Sequence, residues 1–179
     1  MKAVNIPNSL TVGRIVLIPV FVIAVVYDRY RYALYLFVLA AITDLLDGLF
    51  ARLADQKTAL GTFLDPLADK LLLVTSFILF AYCGWIPKWL AIVVISRDLL
   101  IVMGWLLLYL ATGHAKVEPV ILGKTAIALQ LVLLSWVLLV INVPSMASTP
   151  TWFFVIVAAM SALSGLQYIV KGLRQAHAF

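Results

Sequence analysis

Five of the eight acidic residues in this 179-residue chain fall between positions 44 and 69: Asp44, Asp47, Asp55, Asp65 and Asp69. Residues three or four positions apart share one face of a helix. Asp44 and Asp47 therefore project from one side of one helix, and Asp65 and Asp69 from one side of the next. Only eight residues separate Arg52 from Gly61, so the two helices turn back as antiparallel neighbours and four carboxylates reach one depth. Four ionised carboxylates in an apolar setting repel each other strongly. Each also costs at least roughly 2.5 kcal/mol to insert into a bilayer. Arg52 and Lys70 are too few cations to offset them. A divalent metal is the natural counter-charge, and a ligand set of oxygens without Cys or His selects Mg²⁺ or Mn²⁺ over zinc. The bland alternative is a salt-bridged structural network or a set of protonated carboxyls.

The elements that must position these acids are apolar. The chain is 65% hydrophobic and 12% charged, with a mean hydropathy of +1.12. A soluble domain carries about 25% charged residues. The composition thus excludes a soluble globular protein, a disordered chain and an ordinary nucleic-acid binder, and a single cysteine, Cys83, excludes a disulfide scaffold. Six apolar stretches, at 9–27, 32–52, 60–82, 88–111, 120–142 and 151–171, each have the length of a membrane helix. A span must satisfy its own backbone hydrogen bonds, which favours helix, and no stretch alternates as a barrel strand does. The expected fold is all-α: a polytopic membrane protein, a six-transmembrane-helix bundle formed by residues 1–179 as one integral-membrane domain.

Placement of Lys and Arg sets the expected orientation. Lys2, Arg14, Arg52, Lys57, Lys116, Lys124, Lys171 and Arg174 fall on one side, against Arg29, Arg31 and Lys88 on the other. Both termini and the 53–59 and 112–119 loops are therefore expected in the cytoplasm, with Trp85, Trp89 and Trp152 as anchors at the opposite interface. Arg14 interrupts the first apolar run and no small-x-small site follows Val26, so this run reads as a retained span rather than a cleaved signal. The net charge of +5 suits an anionic cytoplasmic leaflet, or reflects topology alone. His114 and His177 read as incidental, Asp55 as a solvated loop residue, and Cys83 as a small apolar filler.

Gly48, Ala51 and Gly61 flank the acids, where small residues allow a ligand, or another helix, to approach the backbone. The ungapped pattern D-x2-D-G-x2-A-R-x8-G-x3-D-x3-D, from Asp44 to Asp69, resembles the signature of the CDP-alcohol phosphotransferase family of membrane enzymes. The resemblance implies transfer of the phosphatidyl group of CDP-diacylglycerol to an acceptor hydroxyl, with release of CMP. It also implies two Mg²⁺ or Mn²⁺ ions on Asp44, Asp47 and Asp65 with a contribution from Asp69, and Asp69 as general base. It sets Gly48, Ala51, Arg52 and Gly61 against the CMP portion of the donor. Paired metals on shared carboxylates suit a pyrophosphate, and Arg52 suits one of its oxygens. A homodimer in the inner (cytoplasmic) membrane, with its active site facing the cytoplasm, is implied as well. No span carries a GxxxG signal to choose the dimer interface.

The acceptor side rests on sparser signals. Asn8, Thr11 and Arg14 share a helix face in a stretch that resembles a second family feature, although Arg14 also suits interfacial snorkelling. Arg97 interrupts the fourth span and, with Lys116 and Lys124, forms a candidate pocket for an acceptor phosphate. Pairing of Arg97 with Asp98 is the structural alternative. Lys171 and Arg174 read as topology signals that border the same region. Length and the opening motif resemble bacterial phosphatidylglycerophosphate synthases, whose acceptor is glycerol 3-phosphate. Arg97-Asp98 and Lys124-Thr125-Ala126 depart from the Arg-Glu and Lys-x-Lys-Thr patterns of those synthases, and the stretch from Pro119 to Gln130 and the ending Tyr168 to Arg174 resemble CMP-forming cardiolipin synthases, whose acceptor is phosphatidylglycerol. Glycerol 3-phosphate is preferred. A divalent-cation transporter would need acids near mid-bilayer and a broken helix or inverted repeat. An intramembrane aspartyl protease would need two acids sharing one proton, not four at metal-ligand spacing. Replacing Asp69→Asn is expected to abolish CMP release while labelled donor still binds; full turnover in this variant would remove Asp69 from the role of base.

Overall fold

A computed structural model describes residues 6–54, 59–112 and 121–176, with side chains described at 13, 15–43, 70–104, 106, 107, 110 and 121–173. Six helices account for nearly all of these residues: α1 (Ile6–Val26), α2 (Tyr30–Ala54), α3 (Ala59–Tyr82), α4 (Lys88–Thr112), α5 (Ile121–Asn142) and α6 (Thr151–Ala176). No strand occurs among the described residues. Helices α5 and α6 are long and apolar enough to cross a membrane. Large apolar side chains stay exposed along the helices, for example Val16, Leu107, Val132 and Leu166. Such an outer surface belongs against hydrocarbon, and the chain is a membrane protein.

The helices end where the backbone can close on itself. After α1, Asp28 adopts the left-handed conformation (φ 58°). The Asp28 N–H donates to the Val25 carbonyl at 3.1 Å, and the Arg29 N–H to the Ala24 carbonyl at 2.8 Å. This pair of bonds is a Schellman cap, which satisfies carbonyls left open by the last turn. A short polar side chain makes Asp one of the few non-glycine residues to tolerate that φ. The Tyr30 hydroxyl then donates to Asp28 Oδ1. The same cap closes α3: Gly84 has φ 77°, its N–H donates to the Ala81 carbonyl, and the Trp85 N–H donates to the Phe80 carbonyl at 2.9 Å. Trp85 and Phe80 supply the apolar contact of that motif, ring centroids 5.0 Å apart and edge-on. Cys83, in this turn, is exposed rather than an apolar filler.

The chain forms two compact units, residues 1–79 with 134–148 and residues 80–133 with 149–179. In the first unit α1 packs on α2 as an antiparallel hairpin. Ile18, Phe21 and Val25 of α1 are buried, as are Ala40, Phe37 and Ala33 at the matching levels of α2. Phe21 and Phe37 meet at 5.8 Å between ring centroids. Asn142, at the end of α5, donates from Nδ2 to the Tyr30 carbonyl at 3.1 Å and to the Leu138 carbonyl of its own helix at 2.8 Å. Both amide hydrogens are thus in use, and the first tethers α5 to the start of α2.

In the second unit α4 packs on α6. Leu90, Ala91 and Val94 are buried on α4, and Phe154, Val157 and Ser161 on α6. Gln130 of α5, fully buried, donates from Nε2 to Ser161 Oγ at 2.9 Å. The Asn142 tether is expected to contribute about 1 kcal/mol, the scale of an interhelical hydrogen bond in a membrane protein. Asn142→Ala should therefore lower the melting midpoint in detergent measurably; an unchanged midpoint would show that the bond contributes nothing.

Candidate active site

The four acids fall on two consecutive helices, at similar distances along each from their junction. Helix α2 ends at Ala54 and α3 begins at Ala59, so residues 55–58 join them. A chain of that length holds the two ends within roughly 18 Å. With a rise of about 1.5 Å per residue, Asp47 lies about 10 Å up α2 from this junction and Asp65 about 9 Å up α3. Asp44 and Asp69 each lie about 15 Å from it. Gly48, Ala51 and Arg52 occupy the last two turns of α2, and Gly61 the first turn of α3. The side chains from position 44 to 69 lie outside the described ones, as do those of Asn8, Thr11 and Arg14 on α1. Asp55, His114, Lys116 and His177 lie outside the described residues altogether. Among the described residues no cluster of three or more His, Cys, Asp or Glu could hold a metal. The last described side chain before Asp44 is Thr43, whose hydroxyl donates back to the Leu39 or Ala40 carbonyl of its own helix, each at 2.9 Å.

A second group of polar residues surrounds Arg97 in the unit formed by α4, α6 and the first half of α5. Arg97 is 5% exposed and Asp98 7%. Arg97 Nη1 donates to Asp98 Oδ1 at 2.6 Å, and Nη2 to Ser164 Oγ of α6 at 2.7 Å. The guanidinium lies 5.9 Å from the Tyr168 ring centroid, within cation–π range. Two glycines leave room for the long side chain. A Cβ on Gly165 would stand 3.2 Å from Arg97 Cγ. A Cβ on Gly123 would stand 3.0 Å from the Tyr168 hydroxyl and 3.4 Å from Arg97 Nη2. Arg97 Nε has no hydrogen-bond partner among the described residues, and neither does Gln130 Oε1.

Neighbours in sequence do not face each other on a helix. Arg97 reaches Asp98 because its flexible stem folds across the helix surface, and the small α6 surface at Ser164 and Gly165 leaves space for it. The charge of Arg97 is thus neutralised within its own helix, as in the structural alternative weighed for it above. Lys124 and Lys171 are exposed. Neither Ser164 nor the pair Gly123 and Gly165 stood out as partners of Arg97 in the sequence. The available signal was the small-residue run Ser161-x2-Ser164-Gly165 within an apolar span, a pattern that also marks ordinary helix packing.

Comparison with known proteins decides the family. The sequence profile described as CDP-alcohol phosphatidyltransferase matches residues 4–164. The chain belongs to the CDP-alcohol phosphatidyltransferase family. It is 35% identical over 185 residues to the CDP-diacylglycerol–glycerol-3-phosphate 3-phosphatidyltransferase of Bacillus subtilis (strain 168), covering 93% of this chain and 94% of that one. It is 31% identical over 183 residues to a probable phosphatidylglycerophosphate synthase of Mycobacterium tuberculosis, covering 97% and 84%. It is also 35% identical over 147 residues to the CMP-forming cardiolipin synthase of Homo sapiens, covering 73% of this chain. That alignment spans about half, 49%, of the human protein.

Within this CDP-alcohol phosphatidyltransferase chain, the Arg97–Asp98 pair is expected to behave as a coupled unit. Arg97→Leu alone leaves a buried carboxylate without its partner and should cost about 3–5 kcal/mol, whereas the Arg97→Leu/Asp98→Leu double variant should recover much of that loss. Melting midpoints of the single and double variants in detergent measure this; additive losses would refute the coupling.

Proposed function

We propose that this protein transfers the phosphatidyl group of CDP-diacylglycerol to the hydroxyl of glycerol 3-phosphate, yielding phosphatidylglycerophosphate and CMP. The feature that supports this reading best is the spacing of Asp44, Asp47, Asp65 and Asp69 along two consecutive helices, α2 and α3, joined by residues 55–58. Family membership supports the reaction class, and near end-to-end similarity to the Bacillus subtilis glycerol-3-phosphate enzyme supports the acceptor.

In the reaction, the acceptor oxygen forms a bond to the phosphorus that carries the diacylglycerol. The bond from that phosphorus to the oxygen bridging it to the CMP phosphate breaks, and CMP leaves with the electron pair. Asp69 takes the hydroxyl proton as the new bond forms. Arg52 holds a pyrophosphate oxygen, and Gly48, Ala51 and Gly61 keep the helix surfaces low enough for the nucleotide to lie against the backbone. Four carboxylates without nitrogen or sulfur donors fit two Mg²⁺ or Mn²⁺ ions, which when bound neutralise the pyrophosphate and the leaving phosphate. Asn8, Thr11 and Arg14 border the site from α1. Lys116 and Lys124 supply the cationic charge for the acceptor phosphate, because the charge of Arg97 is already paired with Asp98. A site at the cytoplasmic boundary of the inner membrane lets the acyl chains of the donor stay in the bilayer, and two copies of the chain form a homodimer.

A second acceptor is favoured by one specific observation. Identity to the human CMP-forming cardiolipin synthase is the same 35% as to the Bacillus subtilis enzyme, which makes phosphatidylglycerol the alternative. Purified protein supplied with labelled CDP-diacylglycerol and Mg²⁺ or Mn²⁺ is expected to release CMP when glycerol 3-phosphate is present, and to stop on chelation of the metal. Release with phosphatidylglycerol alone would replace the acceptor assignment, and no metal-dependent release with either would overturn the transferase reading.

A further inference from the structure

The α1–α2 hairpin carries a groove on its outer face, at the end remote from the acids. Its volume is about 430 Å³. Val20, Ile23 and Tyr27 form one wall, at helical spacing on α1, and Tyr32, Leu36 and Leu39 form the other on α2. In the antiparallel register of the hairpin these pair level by level, Val20 with Leu39, Ile23 with Leu36 and Tyr27 with Tyr32. The walls therefore run parallel for about 10 Å, a third of a bilayer core. At the mouth stands one charge, Arg29, exposed and lining the groove. No hydrogen bond or ion pair engages its side chain among the described residues. The adjacent acid, Asp28, is instead occupied by the Tyr30 hydroxyl.

We propose that this groove holds an anionic phospholipid, with one acyl chain between the two walls and its phosphate on Arg29. Three observations favour that occupant. The lining is apolar along its length and basic only at its mouth, which matches a hydrocarbon chain ending in an anionic head group. Tyr27, Tyr32 and Tyr35 are exposed around the mouth, where an aromatic belt marks the head-group level of a bilayer. Arg29 and Arg31 also oppose the Lys/Arg bias of the rest of the chain, so their charge calls for a local anion. A second copy of the chain fits less well. A two-fold axis along the membrane normal brings equal levels together, setting Arg29 and Arg31 against their own copies. The site is separate from the acidic one, because its mouth at Tyr32 lies about 18 Å along α2 from Asp44.

The test uses the intact protein in detergent, incubated with phosphatidylglycerol or phosphatidylcholine of identical acyl chains, with retained lipid read by native mass spectrometry. Wild type should retain phosphatidylglycerol about fivefold better, the ratio that one basic residue near an anionic head group carries. Arg29→Gln, an exposed change that disturbs no described contact, should bring the two lipids close to equal retention. Leu39→Trp should fill the groove and reduce retention of both, while Arg31→Gln should leave the preference in place. Equal retention of the two lipids by wild type, a preference that survives Arg29→Gln, or equal losses from Arg29→Gln and Arg31→Gln would overturn the proposal. A change in the ratio of dimer to monomer with Leu39→Trp, without a change in retained lipid, would assign the groove to a second copy and overturn it as well.

Discussion

A charge placed among apolar side chains has to find its counter-charge within a few ångströms, because no water is there to screen it. Arg97 shows this constraint directly. Its guanidinium lies against Asp98 of the same helix, Ser164 of α6 and the face of Tyr168, and glycines at 123 and 165 leave the space that its stem and head require. Much of the polar character in the second unit follows from this pairing. Ser161 and Ser164 stand one turn apart on α6, one bonded to Gln130 of α5 and the other to Arg97 of α4. A polar seam of this kind gives three otherwise apolar helices a fixed mutual register.

By the sequence, the four acidic residues meet the same constraint with few cations near them. In the proposed function they converge from the two helices that meet at residues 55–58, with Arg52 and Lys70 as the nearby cations in the sequence. Metal binding is the chemical answer that the proposed function adopts, and it turns an electrostatic liability into the means of holding a pyrophosphate. The contrast with Arg97 is instructive. One buried charge is closed within the protein, whereas the proposed function has the four acids completed by metal ions from outside.

Helix extents were largely legible in the sequence. The apolar stretches at 88–111, 120–142 and 151–171 correspond to helices Lys88–Thr112, Ile121–Asn142 and Thr151–Ala176, with the last extended beyond its apolar part. The agreement has a physical basis, since membrane-length apolar runs have few ways to satisfy their backbone except as helices. The caps were less legible. Gly84 ahead of Pro87 is a recognisable stop, but Asp28 in a left-handed conformation is not, because aspartate occupies that region only when the surrounding turn holds it there. The exposure of Cys83 follows from the same cause: the Schellman turn that contains it lifts the residue out of the helix packing.

The sequence alone determined the class of the protein, the positions of its helices, the cluster of four acids and the family signature that contains them. These are properties of composition and spacing, and helical geometry converts spacing into faces without reference to distant residues. Only the tertiary structure decided which polar residues meet across helices. The partnership of Arg97 with Ser164 and Tyr168, the tether from Asn142 to Tyr30, and the groove between the outer walls of α1 and α2 all join residues that no local pattern links. Packing chooses among the many small and polar residues that an apolar helix can present to a neighbour, and that choice depends on how the helices come together rather than on any one of them.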